Sequence, residues 1–123
     1  MKPEVCCTLI DLPTSLFFAH IFLSLNFPSA RILYLDDENQ ISLGERWDFI
    51  LVPFQMANRL AGQTFDIVIN TACFQEMTDD ALAYWMDFIE RQIEASGFYS
   101  CNYFMKLQWG GTGGYVGRFR RNQ

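Results

Sequence analysis

Short apolar runs alternate with helical patterns along this chain. VCCTLID (5–11) is mostly β-branched and apolar and ends on an acid, which predicts a buried strand; Leu12-Pro13 then puts a proline at the first turn of a helix. That helix runs from about Thr14 to Asn26, is apolar nearly all round and is expected to be buried, and Phe27-Pro28 ends it. RILYL (31–35) predicts a second strand, DDENQISLGER a polar loop, and WDFILVP (47–53) a third strand closed by proline. FQMANRLAG (54–62) predicts a short helix stopped by Gly62. FDIVIN (65–70) is the most strand-like stretch of all. Thr78 is the expected N-cap of a further helix, with Asp79 and Asp80 complementing its first turn. Leu82, Trp85, Met86, Ile89 and Ile93, with Phe88 alongside, recur there at helical spacing and predict one core-facing side; Gly97 ends it, and FYSCNYF (98–104) is the last strand.

The order is strand, helix, strand, strand, helix, strand, helix, strand. Continuous apolar strands imply burial on both faces, and therefore a mostly parallel α/β sheet with right-handed crossovers. From Trp109 onward the pattern fails, because WGGTGGYVGRFRRNQ is glycine-rich and shows no helix. The expected organisation is a partial α/β domain over 1–109 and a glycine-rich C-terminal tail over 110–123.

Composition narrows the partners. The chain has 123 residues, half of them hydrophobic, with twelve Phe, three Trp and five Tyr, which suits one domain with an ample core. A net charge of -5 gives a nucleic-acid partner no bulk electrostatic support, and Arg118, Arg120 and Arg121 read as a solvated tail. LFFAHIFLSL (16–25) has the length of a signal-peptide core, but Glu4 and Asp11 precede it and it is too short to cross a bilayer, so no membrane role is expected. Cys6, Cys7, Cys73 and Cys101 lack metal-ligand spacing, and the adjacent pair would point to opposite faces of a strand. Cys73 and Cys101 have apolar neighbours and are expected to be buried thiols. Reduced cysteines favour the cytoplasm, and no metal is expected.

Ligands of open parallel sheets bind beyond the carboxyl ends of the strands. Asp11 ends the first strand there, suited either to two ribose hydroxyls or to a helix-start role ahead of Pro13. Asp36 and Asp37 read first as a solvated turn, with reach to an adenine amino group as the alternative. Asn70, followed by Thr71, offers a donor and an acceptor at a strand end, or forms a turn with its own backbone. Glu76, after Gln75, is suited to take a proton or hold a sugar hydroxyl, or to supply charge near a helix start. His20, alone in an apolar helix, reads as a core residue rather than a catalyst, and as the only histidine it excludes a Ser-His-Asp or Cys-His arrangement.

IDLPTSLFFAHIFL, then DFILVP, DIVINTACFQEM, Tyr84, Phe88-Ile89 and FYSCN, in that order over roughly residues 5 to 104, resemble the sugar O-methyltransferase family of class I S-adenosylmethionine-dependent methyltransferases. The resemblance implies a three-layer Rossmann-like sheet, incomplete at about four to five strands. It implies S-adenosylmethionine as cosubstrate, a sugar or glycan hydroxyl as acceptor, Asp11 on the ribose, and Asp36, Asn70 and Thr71 as further cosubstrate contacts. The Asn70–Met77 segment would floor the pocket near the methionine moiety and the acceptor, with Glu76 as the base.

The family's opening strand and its glycine-rich turn have no counterpart in this sequence, and the terminal GGTGG lacks the helix that would let it serve. Neighbouring strands lie about 4.8 Å apart. A missing central strand therefore leaves 5–11 and 65–70 either to pair directly or to keep edges that invite a second chain, as a homo- or hetero-oligomer. Two rival readings follow. One is a non-catalytic interaction module or partner subunit derived from a truncated methyltransferase; the other is a different nucleotide-binding α/β domain, for which no phosphate-cradling loop is visible.

Overall fold

The computed structural model describes residues 5–36, 45–71, 73–92 and 98–101, with side chains omitted at Gln75 and 98–101. The expectations for Asp37, Ile93, Gly97, the Cys101 side chain, residues 102–104 of the last strand and the tail 110–123 lie outside this set. The chain divides into two compact units, Met1–Ala61 and Gly62–Gln123, and both are α/β with parallel strands.

In the first unit β1 (Cys7–Asp11), β2 (Ile32–Tyr34) and β3 (Phe49–Pro53) form a parallel sheet in the order β1-β3-β2. Asp11 stands opposite Pro53, and Tyr34 opposite Leu51. Helix α1 (Pro13–Asn26) begins with its proline in the first turn, where the missing N–H has no intrahelical partner to lose. Phe27 N–H closes its far end on the Leu23 carbonyl at 2.8 Å, and Pro28 prevents continuation. Leu16 and Leu23, one heptad apart on α1, pack with Leu51 of β3 against Leu9, Ile32, Tyr34 and Phe49. Leu51 thus faces α1, while Ile50 and Val52 alternate to the other face and are also buried.

The expectation of a fully buried α1 is corrected: only Leu16 and Leu23 are buried along it, and its opposite side is exposed. Nearly uniform hydrophobicity gave no moment to fix one face. His20 is likewise exposed instead of lying in the core, its ring stacked on Tyr34 at 6.4 Å between centroids. Burial on both faces holds for β3, the central strand, whereas the edge strands β1 and β2 are mostly half-buried. Residues Phe54–Leu60 form a 3₁₀ helix, because the two buried side chains, Ala57 and Leu60, recur at its three-residue repeat. Gly62 follows with φ +85°, and nothing lies within 4 Å of where a Cβ would stand.

In the second unit β4 (Val68–Thr71) pairs in parallel with β5 (Phe98–Cys101), Asn70 opposite Ser100. Helix α2 (Asp79–Gln92) is capped as its sequence predicts, the Thr78 hydroxyl accepting the Ala81 N–H at 3.3 Å. Leu82, Met86, Phe88 and Ile89 are buried as one face, with Trp85 half-buried beside them. The Gln92 carbonyl accepts the Phe65 N–H at 2.9 Å and ties the end of α2 to the approach to β4. No helix among the described residues is long and apolar enough to cross a membrane.

Candidate functional site

At the carboxyl edge of the first unit's sheet, two acids flank the end of β3. Asp11 ends β1 opposite Pro53. Asp36 lies two residues beyond β2, and the Leu35 N–H to Leu51 carbonyl bond at 2.8 Å extends the ladder toward it. Two strand spacings, about 10 Å, therefore separate the two backbones. Both residues are exposed.

One oxygen of Asp11, Oδ1, accepts the Leu12 N–H at 2.7 Å, so the carboxylate braces the entry to α1. Its other oxygen has no partner among the described residues. The helix-start role and a remaining acceptor therefore coexist in one side chain. Asp36 is held through its main chain, its carbonyl accepting from Arg59 Nη1 on the 3₁₀ helix. Arg59 carried no signal in the sequence: nothing in a short run such as FQMANRL shows that its guanidinium reaches back across 23 residues.

In the second unit, the polar residues after β4 fall into two environments. Asn70 is buried at 7 % exposure, an interior amide rather than a solvent-facing turn residue. Thr71 and Glu76 are exposed. The intervening chain is tightened by local bonds: the Cys73 thiol donates to the Thr71 carbonyl at 3.5 Å, and the Glu76 N–H to the Cys73 carbonyl at 3.0 Å, in a 3₁₀ turn over Phe74–Glu76. Phe74 is the buried anchor of that turn. Cys73 is exposed, which corrects the expectation of a buried thiol there, since the turn directs Phe74 inward in its place.

Asp11 and Asp36 thus share one sheet edge, while Asn70 and Thr71 end β4 and Glu76 follows in the 3₁₀ turn. Among the described residues no group of three or more His, Cys, Asp or Glu could hold a metal ion.

A shallow cavity of about 440 Å³ lies at the opposite, amino-terminal end of the first sheet, lined by Cys7, Phe27, Pro28, Asp48 and Phe49 among others. Asp48 Oδ2 accepts the Arg31 N–H at 2.8 Å, and the Arg31 guanidinium sits 4.8 Å from the Trp47 ring centroid. These contacts join the start of β2 to that of β3 and read as structural. Parallel sheets present ligand sites at their carboxyl ends, so the acids carry more functional weight than this hollow.

No family model matches the chain, and neither a curated protein nor a solved structure gives a significant match.

Proposed function

We propose that this chain is an O-methyltransferase-like protein of the S-adenosylmethionine-dependent class, acting on a sugar hydroxyl. The observation that carries the reading is Asp11: an exposed carboxylate at the carboxyl end of a parallel strand, one oxygen fixed by the Leu12 N–H and the other without a partner among the described residues. Fixing one oxygen orients the carboxylate and leaves the other oxygen as an acceptor for a ribose hydroxyl. The described residues therefore fit the ribose portion of the cosubstrate, with Asp11 on the hydroxyls and Asp36 toward the base. When bound, the cosubstrate supplies an electrophilic methyl group on a sulfonium.

The chain's own task is to orient the acceptor hydroxyl and to take its proton, and Glu76, an exposed carboxylate, is the base we assign. The thiols Cys6 and Cys7, neither in a disulfide, fit a cytoplasmic location. The resemblance of IDLP and DIVINTACFQEM to sugar O-methyltransferases supports the same reaction class.

Calorimetric titration with S-adenosylhomocysteine tests the reading. Saturable binding is expected, weakened at least about tenfold by Asp11→Ala, which corresponds to about 1.4 kcal/mol. No heat at millimolar ligand overturns it. Glu76→Ala should leave that binding intact and abolish methyl transfer to sugar acceptors; full transfer activity would remove Glu76 from the role of base. A second reading, a non-catalytic subunit completed by another chain, is favoured by β1, which lies at the edge of its sheet and pairs on that side with no strand among the described residues.

A further inference from the structure

Helix α1 carries two apolar stripes on opposite sides. At about 100° per residue, Leu16 and Leu23 define the stripe that meets the sheet. Phe17, Phe18, Ile21, Phe22 and Leu25 cluster on the far side. These five are all exposed, Phe18 at 70 %, Phe22 at 61 % and Leu25 at 77 %. From Leu16 onward the polar residues His20, Ser24 and Asn26 occupy the flanks between the stripes, and only Thr14 in the first turn falls on the outer side; this is the reverse of an ordinary surface helix, whose polar face opposes its core face. A helix apolar on both sides is built to be covered on both.

We infer that this outer stripe is a self-association surface, on which α1 packs against α1 of a second copy of the chain. Two observations choose that occupant. The first is area: the five side chains expose roughly 600 Å² of apolar surface, at the upper end of the largest patch found on a typical monomer and most of the roughly 800 Å² per partner of a standard interface. The second is charge. The 14 residues of α1 include no Asp, Glu, Lys or Arg. The chain as a whole carries -5, so copies repel over most of the surface, but not where two α1 helices meet. A hetero-partner is usually selected by complementary charge, and a membrane-surface helix by Lys and Arg on its polar face; α1 offers neither. A twofold pairing needs only that the same apolar stripe meet itself. This surface is distinct from the sheet edges and from the acids at the carboxyl end of β1.

Sedimentation velocity of the full chain between about 1 and about 100 µM tests the inference. The expected result is a dimer of twice the 14.3 kDa chain mass. Phe18→Glu combined with Phe22→Glu should give a monomer over the whole range with an unchanged far-ultraviolet circular dichroism spectrum. If that double variant loses its helical signal, Leu25→Gln, a single exposed change in the last turn, should still weaken dimerisation at least about fivefold. A wild-type monomer at every concentration overturns the inference, whether or not that monomer binds phosphatidylcholine vesicles. So does a folded double variant that remains dimeric, which would move the contact to an edge such as β1, or a Leu25→Gln protein that dimerises unchanged.

Discussion

Cys6 and Cys7 show how a partly enclosed group changes its chemistry without being buried. Both are exposed by surface area, yet the protein around the sulfurs disfavours the thiolate. Enclosure, then the neighbouring Cys7 and Asp48, push the Cys6 thiol above its ordinary value, and enclosure alone raises Cys7. In the unfolded chain these thiols ionise near the usual pH of about 8.5. In the fold they stay protonated to higher pH, so their contribution to stability is intact below the ordinary thiol range and is lost as pH rises through the folded values. At about pH 8 iodoacetamide should therefore alkylate both more slowly in the folded chain than in urea. Equal rates would show the shift to be absent. Asp11 makes the complementary point: a carboxylate committed to a backbone N–H by one oxygen still has another to offer.

Individual elements were legible wherever a residue type forces a local geometry. Pro13 and Pro28 bracket α1, Thr78 caps α2, and Pro53 closes β3. What the pattern could not supply was orientation. A helix as uniformly apolar as α1 names no inner face, so the exposure of Phe18 and His20 emerges only once Leu16 and Leu23 are seen against the sheet. The same holds for β4, where Asn70 is inside and Ile69 outside, although an apolar run ending in Asn suggested the reverse. The two stripes of α1 should differ sharply in a folding experiment. Leu16, 1 % exposed, anchors the core stripe, and Leu16→Ala should lower the urea-unfolding free energy by about 2–5 kcal/mol. A loss below about 1 kcal/mol would mean that α1 is not held by that contact.

Across the whole molecule, the α/β class and parallel strand direction followed from continuous apolar runs separated by helices, and the acids at the sheet's carboxyl edge from two strands that each run into Asp. Arg59 and the division into two units were not legible, because both depend on contacts between segments far apart in the chain. The division falls at Gly62, and that residue has a consequence in chirality. Its φ of +85° is natural to a D-amino acid and costly to an L one, and nothing lies within 4 Å of where an L side chain's Cβ would stand, so the cost to an L residue is one of backbone conformation and not of crowding. Replacement by L-alanine should destabilise by about 1 kcal/mol, and by D-alanine, in a chain joined chemically at Cys73, should stabilise by about 0.4–1 kcal/mol. Thermal melts of the two, identical in composition and mass, would isolate backbone handedness from bulk at this one position. Equal melting points would mean that the mirror-image preference is not enforced at the junction.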